Sequence, residues 1–393
     1  MLGKTQRTVS GPEVSQKKVL QVISSVSEEF GGPSVGSLAL NRRLNELGVD
    51  ARIYTTDLAN DKGDRLKPSA IRGTGANVRA FPASRPFFLR NSWLLCIGIW
   101  SAVRGADLVH IHGQYAVHQF FVYLACRAFR KPYGVQLHGA LETYERSKSK
   151  KRKLIFNSVI GKRVLRHASY VHFSAPSEAQ RARDLVAEDQ AVVIPLGAEL
   201  STEELPITAL ADRLPSRSEA VLYLGRFALK KRPELLLRAW AAAKRPEKSL
   251  LVFAGPDGEI THAELSSLAE SLGVLDSVLF VGPVDSRQKA WLYRRSGTFV
   301  LPSENENFGL TIAEAMVGGC HVIVSEHVAA GQYLLEADSG EVLDSVDVDT
   351  LRGALERALW HPSDTKASGL RAMKFAQKEL SWDRLARFIA ETG

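Results

Sequence analysis

Short apolar runs recur along this chain, most of them separated by a stretch with helical spacing, and they fall into two series. Val19 to Ile23, Ala51 to Tyr54, Leu108 to His112, Tyr133 to Leu137, Tyr170 to Phe173 and Ala191 to Ile194 make up the first. Val221 to Leu224, Leu250 to Ala254, Val278 to Val281, Thr298 to Leu301 and His321 to Val324 make up the second. Strands separated by helices form a parallel sheet with covering helices, so the expected class is α/β, with two doubly wound, Rossmann-like domains. Between the series, Pro195 to Ser218 carries Pro195, Pro206, Pro215, Gly197 and several acids without a sustained apolar period, as a hinge does. The expected division is a tail over 1–17, a first domain over 18–197, a linker over 198–218, a second domain over 219–375 and a closing segment over 376–393. Sheets of this kind bind ligands at the C-terminal ends of their strands, so two facing sheets define a cleft.

At 393 residues the chain is too long for one ordinary core. Its apolar share of 45% and charged share of 24% are those of a soluble globular protein. Met1 to Lys18 is polar and lacks the apolar run of a signal peptide, which predicts a cytoplasmic protein. Cys96, Cys126 and Cys320 are scattered in apolar sequence and read as reduced core residues. The uncharged stretch Asn91 to Val103 is far short of the roughly 20 residues that a bilayer crossing needs. It is expected to be a buried helix, with a helix lying in a membrane interface as the alternative.

Net charge is +8, and its distribution is uneven. Between Arg127 and Tyr170 there are twelve Lys or Arg against two acids, a balance of +10, which leaves −2 for the rest of the chain. The densest part is Arg146 to Lys153, followed by Lys162, Arg163 and Arg166. A solvated helix face and a surface for anionic lipid or lipid-linked acceptor phosphate are equal readings of this excess. The second would make the protein peripheral on the inner face of a membrane. Nucleic acid is the lesser reading, because no aromatic interleaving accompanies the charge.

Residues 302–316 read PSENENFGLTIAEAM, with Glu306 and Glu314 eight positions apart around Phe308-Gly309-Leu310. A strand leads in and a helical apolar pattern leads out, so Glu306 falls on a loop and Glu314 about a turn into a helix. The helix N-terminus offers the amides of Gly309, Leu310 and Thr311 to an anion. Two acids beside an anion site suit a nucleotide sugar. This stretch resembles the E-x7-E signature of the retaining glycosyltransferases of family four, with Asn307 where relatives usually carry glycine. The resemblance extends over nearly the whole chain from about Lys18. It implies the GT-B fold, two Rossmann-like domains facing across a cleft, and a final helix after Leu380-Ser-Trp-Asp383 that crosses back to the first domain.

The resemblance also implies roles. Glu314 would accept from ribose hydroxyls and Glu306 from the transferred sugar, with Phe308, Gly309, Leu310 and Thr311 lining the donor site. Gly32, in Phe30-Gly31-Gly32, is similar to the residue of the donor-diphosphate loop. His138, in Gln136-Leu137-His138-Gly139-Ala140-Leu141, looks like the histidine that faces the sugar, where a neutral imidazole can donate without adding full charge. Arg226 and Lys231, in GRFALKKRP, match two cations that would stabilise the leaving diphosphate, and Lys230 or Arg232 could share that task. Val284 would lie by the base. His110 and His112 are expected on opposite faces of their strand, with His112 toward the cleft. The only D-x-D, Asp347-Val348-Asp349, precedes a helical pattern and reads as an N-cap, so no metal cofactor is expected. The function implied is transfer of a sugar from a UDP- or GDP-linked donor to a glycan or lipid-linked acceptor in surface polysaccharide or glycolipid synthesis. A nucleotide-sugar epimerase or phosphorylase on the same fold, and a nucleic-acid-binding protein using residues 146–166, are the alternatives.

Overall fold

The structure is a computed structural model that describes residues 16–113, 116–139 and 161–392. The expected tail lies outside the described residues except for Gln16 and Lys17, and so does the densest basic run, Arg146 to Lys153.

Two wholly parallel sheets organise the chain. The first contains β1 (Lys18–Ser25), β2 (Asp50–Thr56), β3 (Val78–Phe81), β4 (Leu108–His112), β5 (Tyr133–Gln136), β6 (Tyr170–Phe173) and β7 (Ala191–Val193), in the order β3-β2-β1-β4-β5-β6-β7. The second contains β8 (Ala220–Leu224), β9 (Leu250–Ala254), β10 (Val278–Gly282), β11 (Thr298–Leu301), β12 (His321–Ser325) and β13 (Glu341–Leu343), in the order β10-β9-β8-β11-β12-β13. This is the expected two-domain α/β architecture. The apolar runs miss only β3 and β13, both edge strands. An edge strand packs against one neighbour, so Val-Arg-Ala-Phe and Glu-Val-Leu need little apolar surface. Central strands such as β4, β8 and β9 are buried along their whole length.

In the first domain, α1 (Gly32–Glu46) follows β1, α2 (Pro68–Gly73) precedes β3, α3 (Trp93–Gly105) joins β3 to β4, and α4 (Val117–Phe129) joins β4 to β5. The order reverses at β1. Right-handed crossovers therefore put α1 on one face of the sheet and α3 and α4 on the other. The final helix, Trp382–Glu391, packs on α1. It is tied there by an ion pair between Arg43 and Asp383, by the edge-on contact of Tyr170 with Phe388, and by the Lys17 ammonium donating to the carbonyls of Ile389 and Ala390. All three cysteines are buried free thiols. No helix among the described residues is long and apolar enough to cross a membrane.

The stretch Asn91 to Val103 departs from the buried helix expected of it. Leu95, Cys96, Ile99 and Val103 are buried, but Trp93, Leu94 and Ile97 are more than half exposed. A sheet can cover only one side of a helix, and α3 is apolar on both.

Candidate active site

The C-terminal ends of β5, β8 and β11 supply the central residues, and their loops meet between the domains. After β11 the chain turns through Ser303 to Phe308, and Gly309 takes a left-handed conformation (φ 86°) that starts the helix Leu310–Val317. A Cβ at Gly309 would stand 2.8 Å from Ile312 Cδ1, so glycine is required there by both backbone and space. Phe308 is buried against Tyr333 and anchors the turn.

Glu306 projects toward the loop after β8, where Lys231 Nζ lies 2.9 Å and Lys230 Nζ 4.0 Å from its Oε1. Burial pushes the Glu306 carboxyl up, but the two ammonium groups outweigh it and hold the pKa below its ordinary value. Lys231 reaches Glu306 by running along Gly225, where a Cβ would stand 3.3 Å from its ammonium. Arg232 turns away to pair with Glu304 and donates to the Val346 carbonyl at 3.3 Å, so it does not join Lys231. Glu314 is buried one turn into the helix. Lys289 Nζ is 2.6 Å from its Oε1, and the Tyr293 hydroxyl donates to Oε2 at 3.0 Å. Burial, with the Glu314 carboxylate beside it, pushes the Tyr293 phenol well up, so it remains a donor. Val284, partly buried, lies between β10 and the helix Ser286–Arg295 that carries Lys289.

The first domain closes on these residues at three points. The Arg226 guanidinium, exposed at the end of β8, donates to the Glu29 carbonyl just before the glycine loop. A Cβ at Gly32 would stand 3.4 Å from Leu310 Cδ1, so the loop lies across the start of the Glu314 helix. At Gly139, in the left-handed region at φ 74°, a Cβ would approach Asn307 Cβ to 2.8 Å. The residue that replaces the family's usual glycine thus packs against the glycine that follows His138.

His138 also has a left-handed backbone (φ 50°), a strained conformation for a residue with a side chain. Behind it the Gly139 amide donates to the buried carboxylate of Glu178 at 3.2 Å, which accepts from the Ser174 amide as well at 2.8 Å. His138 Nε2 lies 3.0 Å from His112 Nδ1, and His112 Nε2 lies 2.9 Å from Gln21 Oε1. With the Gln21 oxygen turned to His112, this chain leaves Nδ1 of His138 to accept. The opposite amide orientation would leave it to donate. Burial, then His172 and His110, lower the His138 pKa to about 3, so the ring is neutral.

His110 and His112 do not face opposite ways. Residues two apart on a strand share a face, and both rings are buried 4.7 Å apart, with His110 also 2.8 Å from the Tyr170 hydroxyl. Sequence reasoning missed Glu178, Gln21, Lys289 and Tyr293. Only the last pair carried a signal, since Lys289 and Tyr293 are four apart and share a helix face. Asp347 caps the helix Val348–Trp360, its Oδ1 accepting from the Thr350 amide at 2.8 Å.

Comparison with known proteins bears on the family and the fold. The family described as "Glycosyl transferase 4-like domain" matches residues 31–197, and "Glycosyl transferases group 1" matches residues 211–373. The chain is 28% identical to the D-inositol 3-phosphate glycosyltransferase of Streptosporangium roseum over 391 residues, covering 92% of this chain and 88% of the relative. Among solved structures, Anabaena HepE in complex with UDP and glucose superposes with a TM-score of 0.76 at 16% identity, covering 96% of this chain and 99% of that one. The sucrose-phosphate synthase of Thermosynechococcus elongatus superposes with a TM-score of 0.72 at 21% identity, covering 96% and 98%. The two-domain fold is therefore that of the GT-B enzymes.

Proposed function

The chain belongs to the glycosyltransferases of family four, and from that premise we propose that it moves a sugar from a nucleoside-diphosphate sugar, UDP- or GDP-linked, to a glycan or lipid-linked acceptor with retention of configuration. The observation that carries this reading is the junction of the two domains, where the Glu306–Lys231 ion pair and Asn307 meet the His138-Gly139 turn. In the proposed reaction the bond between the anomeric carbon and the β-phosphate oxygen breaks. The acceptor oxygen bonds to the same face of that carbon, and its proton passes to the departing phosphate. Arg226, Lys231 and the amides from Gly309 to Thr311 stabilise the charge that develops on the diphosphate. Glu306 orients the sugar, Glu314 the ribose, and neutral His138 stands by the acceptor. Peripheral contact with an anionic membrane, through the basic stretch 146–166, belongs to the same reading and suits surface polysaccharide or glycolipid synthesis.

A second acceptor class is favoured by the relatives themselves, several of which are named for D-inositol 3-phosphate. A thermal-shift panel of UDP, GDP, ADP and their sugars identifies the donor, since a ligand at about 100 times its dissociation constant adds roughly 2.7 kcal/mol. Product analysis with the responding donor then tests the reaction. Transfer to an oligosaccharide or polyprenyl-linked glycan supports the first acceptor class, and transfer to inositol phosphate the second. An isomerised donor, or transfer to phosphate alone, would replace the reading with the epimerase or phosphorylase.

A further inference from the structure

The strongest feature outside the cleft is the outer face of α3. Trp93 is 57% exposed, Leu94 55%, Ile97 70% and Trp100 37%, whereas Leu95, Cys96, Ile99 and Val103 on the inner side are buried. At 100° per residue the exposed four fall within about a third of the helix circumference, so they form one apolar stripe rather than scattered positions.

The surroundings are basic. Residues 80–138 contain six Lys or Arg against a single acid, Asp107, and that carboxylate already accepts from the Lys18 amide at 2.9 Å. Neither α3 nor α4 contains an acid. The stripe is also continuous with further positive charge. Trp100 meets Phe129 of α4 edge-on at 6.0 Å, and Tyr123 of α4 meets His167 at 5.9 Å. His167 ends the short helix Lys162–Arg166, where Lys162, Arg163 and Arg166 are exposed, as are Arg104, Arg127 and Arg130 around α3 and α4. The right-handed crossovers that put α3 and α4 on one face of the sheet put this helix there too.

We propose that this face docks on an anionic lipid bilayer, with the outer stripe of α3 entering the headgroup boundary and the arginines and lysines around it contacting lipid phosphate. Tryptophan has an apolar ring and a polar N–H and favours that boundary. A thirteen-residue helix is long enough to lie in it and too short to cross the bilayer. A second protein copy is the poorer occupant, because two such faces would bring like charge together. Trp93 and Leu94 begin α3 immediately after the loop from β3, so they sit at the strand-end edge of the domain, the edge that also carries His138. Docking there would bring the mouth of the cleft to the lipid surface. The proposal adds an apolar anchor to the charge-based contact suggested above and does not depend on the transfer chemistry.

The test uses the full chain, its Trp93→Gln/Ile97→Gln variant and its charge-reversed Lys150→Glu/Lys151→Glu/Arg152→Glu/Lys153→Glu variant, with thermal melts to show that all three are folded. Co-sedimentation is measured on vesicles of phosphatidylcholine alone and of phosphatidylcholine with phosphatidylglycerol, and brominated lipid is used to quench tryptophan. The proposal expects the full chain to bind the anionic vesicles with quenched emission, and the α3 variant to bind at least tenfold more weakly and to lose most of the quenching. Undiminished binding by the α3 variant would overturn it. If that result came with loss of binding in the charge-reversed variant, the membrane reading would survive without the α3 anchor. Self-association that vanishes in the α3 variant, without vesicle binding by the full chain, would reassign the face to a second copy.

Discussion

Glu306 and Glu314 are held differently, and the difference predicts different mutant kinetics. Glu306 pairs with the Lys231 ammonium at 2.9 Å, whereas Glu314 is held by both the Lys289 ammonium and the Tyr293 hydroxyl. In the proposed reaction Glu314 holds the ribose, whose contacts change little, and Glu306 holds the reacting sugar, whose contacts change most. Glu314→Ala should therefore raise the donor KM with little loss of kcat, and Glu306→Ala should lower kcat. Steady-state kinetics with varied donor checks the split, and equal effects on both parameters in both variants would remove it. The spacing of the two acids was legible because both lie within one loop and one helix turn. Their partners were not, because Lys231 is 75 positions before Glu306 and Lys289 is 25 before Glu314, and only the sheet order brings them together.

At the scale of elements, the proposed diphosphate site would take its positive charge from the N-terminus of the helix Leu310–Val317 and from Arg226 and Lys231 in the loop after β8. Chelation should consequently leave activity largely intact, whereas Arg226→Ala and Lys231→Ala should each cost about 2–4 kcal/mol of transition-state stabilisation. Assays with EDTA, and with magnesium or manganese restored, check this, and metal-dependent recovery would overturn it. The first sheet and α4 carry a second consequence. Burial lowers the pKa of His110 to about 3, and those of His118 and His172 to about 4, alongside His138. Each is depressed in the folded state, so below about pH 6.5 the unfolded chain binds more protons and stability falls with pH until the folded pKa is reached. Each neutral ring should remove up to about 1.4 kcal/mol per pH unit in that window. His118 is buried on α4 with no partner for either ring nitrogen among the described residues. His118→Leu should make the loss shallower by one proton's worth, measured by denaturant unfolding between pH 7.5 and 5.5.

For the whole molecule, the final helix returns from the second domain and packs on α1 of the first. Trp382 is buried against two glycines of the first domain. A Cβ at Gly36 would stand 3.2 Å from its ring, and one at Gly197 would stand 2.3 Å from its backbone nitrogen. Trp382→Ala should cost about 3–5 kcal/mol, the usual cost of emptying a buried aromatic site. It should also separate one cooperative unfolding transition into two, as the first domain loses the helix packed on α1. Calorimetry checks both parts, and a single transition with an unchanged midpoint would show that the other contacts of the helix suffice.

The sequence by itself determined what depends on neighbours in the chain. Buried strands declare themselves as apolar runs, helices as periodic ones, and the turn at Phe308-Gly309-Leu310 by a glycine that its backbone angle requires. The order of those elements was enough for the two-domain α/β class. Tertiary structure alone decided what depends on distant residues meeting. It turned Arg232 to Glu304, placed His110 and His112 together within the core, set Asn307 against Gly139, and left one side of an apolar helix uncovered. A sequence shows how apolar a helix is. Which of its faces the rest of the chain reaches is determined by the area of the sheet beneath it.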